Sequence, residues 1–290
     1  MSVAAGLSNM FTFLVAGHET TANTIAYAML LLAVYPSVQA DLHRSLDALL
    51  ARRPPADWSL DATFPPLMNS LMGAVVLETL RLWIVIPFMP RKCHGDQPLH
   101  VGGSRRGIPG DTLVFAHSAA AHRHPAYWPH EREAQASTVP AHRPQKSSER
   151  LNFNPRAWLA QDPSTREKKL EFSDGGPPLT YTPVQGSFVP FADGPHTCIG
   201  QRFAKVEMVA VLTRIYAEYA VELDVKEEEK NMDGSAEKKE EEWREKREDA
   251  FRAMADIKFT TVMKPKGSVP LRFTRREERE GKTLLGEKVF

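Results

Sequence analysis

Residues 188–200 read FVPFADGPHTCIG. Cys198 lies in a stretch rich in turn formers, directly ahead of a region with helical periodicity. Gly194 and Gly200 flank it, and glycine lets a backbone come close to a bulky flat ligand. A helix start offers free N–H groups and the positive end of the peptide dipole, which both stabilise a thiolate. Such a loop can hold a reactive sulfur open on one face and shielded on the other. A lone cysteine is more often an inert buried residue, so its neighbours decide the reading. The second cysteine, Cys93, is too far away in sequence to give a local zinc pair. Two cysteines make no disulfide framework, and nothing resembles a signal peptide, so a reducing compartment is expected.

Working outward, a helix is expected from about residue 199 to 219, with Val206, Val209, Ala210, Thr213 and Ala217 on its buried side. Residues 220–225 suit a strand, and 257–263 with 269–274 read as a closing hairpin. Between them, residues 226–249 are dense in Glu, Lys and Arg and read as a solvated helix or disordered insert. Upstream, residues 8–35 read as one long helix ended by Pro36. Residues 37–50 form an amphipathic helix through Val38, Leu42, Leu46 and Leu49. A third helix is expected over 65–83, with Leu67, Leu71, Val75 and Leu82 on one face. Residues 91–101 and 110–115 look like short strands, and 119–129 like a short helix and turn. Residues 130–152 and 160–185 are polar and aperiodic, hence loops. No internal repeat is present.

Residues 11–35 are the most apolar stretch and long enough to cross a bilayer. Gly17, His18, Glu19, Thr20, Thr21 and Asn23 interrupt them, and an ionisable pair at mid-span is costly in lipid. A buried helix is the expectation, with no transmembrane segment. The net charge is +1, so no overall field draws the chain to nucleic acid.

Four patterns then combine. Phe191, Gly194, His196, Cys198 and Gly200 occupy fixed spacings within ten residues. The first helix carries Ala16-Gly17-His18-Glu19-Thr20-Thr21. Glu78 and Arg81, three apart, share one helical face and can pair. Arg91 follows Arg81 by ten residues, after Pro87 and Pro90. Together these resemble the signatures of the cytochrome P-450 family of haem-thiolate monooxygenases, in the C-terminal half of a microsomal eukaryotic member.

The resemblance implies a mainly α fold with small β sheets (α+β). Residues 1–290 are expected to be a partial domain, from the oxygen-binding helix to the C-terminus, lacking the family's N-terminal half. Polar insertions are expected at about 130–152 and 226–249. The implied cofactor is haem b, iron protoporphyrin IX, with Cys198 as the iron ligand. A thiolate ligand donates electron density to iron and favours O–O cleavage. Phe191, Gly194, Gly200 and Gly17 would line the cofactor, and His196 and Arg91 would bind its propionates, Arg91 through a bidentate fork. Thr20 and Glu19 would activate oxygen, Thr20 by exchanging a backbone hydrogen bond for its hydroxyl and Glu19 by relaying protons. Glu78 and Arg81 would form a buried structural pair behind the cysteine loop.

The implied reaction inserts one atom of dioxygen into a small apolar substrate. Electrons would come from an NADPH-cytochrome P-450 reductase or a similar donor, and no nucleic acid is involved. The full-length parent is expected on the cytosolic face of the endoplasmic reticulum membrane, and the chain alone is expected to be inactive. The alternative is a truncated, non-catalytic remnant. A thiol enzyme with Cys198 as nucleophile and His196 as base would leave Glu19, Thr20, Glu78 and Arg81 unexplained. One motif departs from the family. Where the usual pattern is Phe-x-Pro-Glu-Arg-Trp, this chain has Phe153-Asn154-Pro155-Arg156-Ala157-Trp158. The arginine that joins the Glu-Arg pair is therefore replaced by Ala157, and either Arg156 reaches around or the third partner is absent.

Overall fold

A computed structural model describes residues 2–51, 53–128, 153–159, 179, 181–224, 236–259 and 262–279. The first helix, α1 (Val3–Val34), starts from Ser2, whose side chain caps the Ala5 N–H. It ends at Tyr35, and Pro36 opens α2 (Pro36–Leu50) after a 108° bend. Proline suits this position because a first helical residue has no use for its N–H.

The expected third helix is two helices. They are α3 (Leu60–Met68) and α4 (Leu71–Leu82), bent by 62° at Asn69 and Ser70. Ser70 makes the break: its hydroxyl donates to the Leu67 carbonyl and accepts the Met72 N–H. Gly73 lets the two helices close up, since a Cβ there would lie 1.8 Å from the Met68 carbonyl oxygen.

Four strands follow as two antiparallel hairpins. In one, β1 (Phe88–Lys92) pairs with β4 (Leu113–His117); in the other, β2 (Gln97–Val101) pairs with β3 (Ser104–Ile108). Strand β3 was not expected, because Ser104-Arg105-Arg106-Gly107 lacks the apolar alternation that marks a strand. A one-turn helix, α5 (Ser118–Ala121), then leads to Trp128. The expected loop over 130–152 lies outside the described residues, as does most of 160–185.

After the cysteine loop comes α6 (Gln201–Glu218), which runs into β5 (Tyr219–Leu223). Its buried stripe is Met208, Val209, Leu212, Thr213 and Tyr216. Ala210, expected inside, is exposed, because the larger Leu212 and Tyr216 set the face that enters the core. The charge run continues as α7 (Ala236–Ala255). This helix is not simply solvated, since Trp243, Ala250, Phe251 and Met254 are buried against the rest. Arg247 stacks on the rings of Tyr35, Trp243 and Phe251 and donates to the Val34 carbonyl. Long charged side chains cover apolar surface with their stems, so a highly charged helix can still dock.

The C-terminal strands pair differently from the expected hairpin. Strand β6 (Ile257–Phe259) pairs with β7 (Met263–Pro265), whereas β8 (Leu271–Arg275) returns to β5. The core gathers Leu31 and Leu32 of α1, Leu42 and Leu46 of α2, Leu71, Met72 and Val75 of α4, Val209 and Leu212 of α6, and Phe251 of α7. The fold is thus mainly helical with small two-stranded sheets. Only the second half of α1 is buried, from Thr21 to Val34; residues 11–18 are exposed. Among the described residues, no single helix is long and apolar enough to cross a membrane.

Candidate functional site

The cysteine loop hangs between the aromatic core and the start of α6. Phe188 packs against Trp128, Trp158 and the His122 ring. The chain then turns twice through left-handed backbone, at Ala192 (φ 61°) and Gly194 (φ 72°). A one-turn 3-10 helix, Gly194–His196, follows. The Cys198 N–H donates to the Phe191 carbonyl at 2.8 Å. This closes the loop and leaves the Cys198 side chain exposed, three residues before Gln201 begins α6 once Gly200 has served as its N-cap. Half-buried Phe191 lies under Lys205 of α6, with Nζ 5.6 Å from the ring centroid. Burial lowers the Lys205 pKa.

His196 is exposed at the end of the 3-10 turn. Arg91 is exposed on β1, where its Nη1 donates to the Pro90 carbonyl. Gly17 lies on the exposed half of α1, and a Cβ there would meet nothing within 4 Å. Thr20 Oγ1 donates to the Ala16 carbonyl at 2.7 Å. Glu19 Oε1 accepts from Lys264 Nζ of β7 at 2.6 Å. Helices α1 and α6 pack against each other. Among the described residues, no hydrogen bond joins Gly17–Thr21 directly to the cysteine loop.

Glu78 and Arg81 are both wholly buried and form a two-pronged pair, Nε to Oε2 at 2.7 Å and Nη2 to Oε1 at 2.8 Å. Ionic groups in such a setting need further hydrogen bonds to offset their lost hydration. Glu78 also accepts the Asn154 N–H at 3.0 Å and the Trp158 indole N–H at 2.9 Å. Arg81 Nη1 donates to the His122 carbonyl at 3.1 Å, and its guanidinium lies 5.0 Å from the Trp128 ring centroid.

The question of Arg156 is answered by its partners. It turns to α2, where Nε donates to Asp41 Oδ2 at 2.6 Å and Nη2 to the Ser37 carbonyl. Ala157 is buried. Arg156 therefore does not take the place of the arginine missing at Ala157, and a backbone N–H and an indole are among the donors to Glu78. Asp41 and His122 were not singled out in the sequence, and Asn154 and Trp158 were named there only as parts of the departing motif. Asp41 pairs with Arg44 three residues on as well as with Arg156, and His122 lies on an alanine-rich turn with no titratable neighbour at helical distance.

A flat apolar cofactor with carboxylates fits these residues. Ile199 and Phe203, beside Cys198, are 84% and 72% exposed. Phe115 on β4 and Phe11, Leu14 and Val15 on α1 are also exposed. An exposed thiol at Cys198, a guanidinium at Arg91, an imidazole at His196 and exposed apolar side chains are the kinds of group that a haem takes. No cluster of three or more His, Cys, Asp or Glu occurs among the described residues.

The family model for cytochrome P-450 matches residues 2–133 and 179–242. The chain belongs to the cytochrome P-450 family. Cytochrome P-450 monooxygenase 124 of Postia placenta is 29% identical over 227 residues, covering 77% of this chain and 35% of that protein. Cytochrome P-450 3A13 of Mus musculus is 30% identical over 213 residues, covering 72% and 33%. The mitochondrial 25-hydroxyvitamin D-1 alpha hydroxylase of Homo sapiens is 29% identical over 216 residues, covering 74% and 34%. The match spans about a third of the length of these relatives. Every motif of the cysteine loop, α1 and α4 falls within the matched P-450 residues, whereas 153–159 falls outside them.

Proposed function

We propose that this chain forms a haem-thiolate centre for the insertion of one oxygen atom from dioxygen into a small apolar substrate. The observation that carries it is Cys198, whose thiol is exposed and whose backbone N–H is held by the Phe191 carbonyl ahead of α6. When bound, haem supplies the iron chemistry of dioxygen reduction. Cys198 would hold it through its sulfur, just ahead of α6. Gly200 keeps bulk away from the sulfur, since a Cβ there would lie 3.8 Å from Cys198 Sγ, and Gly194 supplies the left-handed turn. Arg91 and His196 would bind its carboxylates. Phe203, Ile199 and the apolar face of α1 exclude water. Thr20 holds a proton at its hydroxyl, and Glu19 delivers protons once its carboxylate leaves Lys264. The names of the relatives, two monooxygenase-family cytochromes and a hydroxylase, support the reaction class.

An NADPH-dependent flavin reductase is the proposed electron donor, and the cytosolic face of the endoplasmic reticulum the proposed location of the parent enzyme. Both rest on the resemblance to the microsomal type. A second reading, a non-catalytic remnant, is favoured by one observation: Leu7, Met10, Phe11, Phe13 and Leu14 of α1 lie bare. Titration of residues 1–290 with haem separates the two. A stoichiometric ferrous–carbon monoxide complex with a red-shifted thiolate Soret band, lost in Cys198→Ala, supports the enzyme. Haem binding with identical spectra in Cys198→Ala removes Cys198 as ligand, and no binding at all favours the remnant.

A further inference from the structure

His122 follows α5 and is wholly buried. Two elements of the site meet on it. Its carbonyl accepts from Arg81 Nη1, and its ring Nε2 accepts the Val189 N–H at 2.8 Å. An accepting Nε2 requires a neutral ring with the proton on Nδ1. The ring also lies against Phe188, with centroids 5.1 Å apart.

From Val189 the bonds run on to the cysteine. The Val189 carbonyl accepts the Ala192 N–H at 3.2 Å, which closes the turn that sets Ala192 in left-handed backbone. The next carbonyl back, Phe191, accepts the Cys198 N–H. Among the described residues, the other hydrogen bonds of the 187–198 loop stay within 184–204. The Val189–His122 bond therefore ties the loop to the frame of α4 and α5.

We propose that His122 is a positioning residue for Cys198: its Nε2 holds the Val189 N–H, and through it the cysteine loop, in register with the buried Glu78–Arg81 pair. The functional meaning rests on Cys198 as the iron ligand, but the positioning itself concerns the protein without haem. A histidine that merely filled space would pass the loop no order.

The test uses haem-free residues 1–290, with amide hydrogen exchange resolved at single residues. In the wild type, the Val189 amide exchanges far more slowly than that of exposed His196; equal rates would overturn the proposal without any variant. In His122→Leu, Val189 exchange accelerates about tenfold, as expected for loss of one buried hydrogen bond, while α4 amides keep their rates. His122→Gln, which carries an amide oxygen near the Nε2 position, restores the slow rate. Uniform acceleration of the loop and α4 in both variants would mean general destabilisation and would sink the idea. In a Cys93→Ser background, the alkylation rate of Cys198 changes in His122→Leu and returns to the wild-type value in His122→Gln. A haem arm keeps the two readings apart. If the wild type gives no thiolate spectrum while the exchange pattern holds, the haem reading fails and the positioning stands.

Discussion

The Trp158 indole N–H donates to the Glu78 carboxylate across 2.9 Å in a site from which water is excluded. Hydrogen bonds to charged groups contribute about 1.5–3 kcal/mol, and a buried oxygen left short of a donor loses that amount. Trp158→Phe keeps the ring in the aromatic cluster and deletes the donor. It should lower unfolding stability by about 1.5–3 kcal/mol in a denaturant titration. Ala157→Arg, which writes the family residue back, should not rescue it. Ala157 is buried, and Glu78 is already met by Arg81, the Asn154 N–H and Trp158. A guanidinium forced in there has overpacking to contend with, so this variant should also be less stable than the wild type.

Glu78→Gln is a harsher change. It leaves the Arg81 cation buried without its counter-charge, a situation that costs about 3–5 kcal/mol. The double variant Glu78→Gln with Arg81→Met should recover part of that loss, because no charge remains uncompensated. A double-mutant cycle in urea measures the coupling. Strict additivity of the two single losses would show that the pair does not act as a unit.

On α1, Thr20 Oγ1 donates to the Ala16 carbonyl and Glu19 is tied to Lys264. Both Glu19 and Lys264 are about one-third exposed, so solvent screens their pair, and Lys264→Met should change stability by less than about 1 kcal/mol. In the haem-loaded protein with a reductase, Thr20→Ala should raise the peroxide released per NADPH consumed, and Thr20→Ser should keep the wild-type ratio. Proton-transfer help of this type is worth about 10²–10⁴-fold. An unchanged ratio in Thr20→Ala would remove its hydroxyl from the reaction.

Much of this was legible in the sequence because it is local. The helical spacing of Val38, Leu42 and Leu46 gave α2, and Glu78 and Arg81 lie close enough in sequence to predict their own pairing. The turn formers around Cys198 and the helical periodicity after it marked a loop leading into α6. What was missed depends on distant chain. Ser70 breaks a helix because the α3 carbonyls fold over Gly73. Strand β8 leaves its sequence neighbour for β5, nearly fifty residues back. Trp243 hides in a run that charge alone marks as solvated. Trp158 reaches Glu78 from eighty residues away. Periodicity reports which face of an element is apolar, but not which partner arrives there.

His122 makes stability depend on pH in a direction that geometry fixes. Burial lowers its pKa to about 4, and the Arg81 and Arg123 cations push the same way. Glu78, the nearby acid, is already neutralised by Arg81. In the unfolded chain the ring titrates near its usual value of about 6.5. Between these values the unfolded state binds the proton and the native state does not, so stability falls as pH falls. The contribution is fully present above about pH 6.5 and is lost by about pH 4. A shift of this size amounts to about 3 kcal/mol. Carboxylates elsewhere add their own acid sensitivity, so the informative quantity is a difference. His122→Gln cannot take up the proton, and its other ionisable groups are those of the wild type. Its stability relative to the wild type should therefore rise by about 3 kcal/mol between pH 7 and pH 4, read from urea midpoints at each pH. Parallel curves for the two proteins would show that the ring is protonated as easily in the fold as outside it, and that its bond to the Val189 N–H is not held in solution.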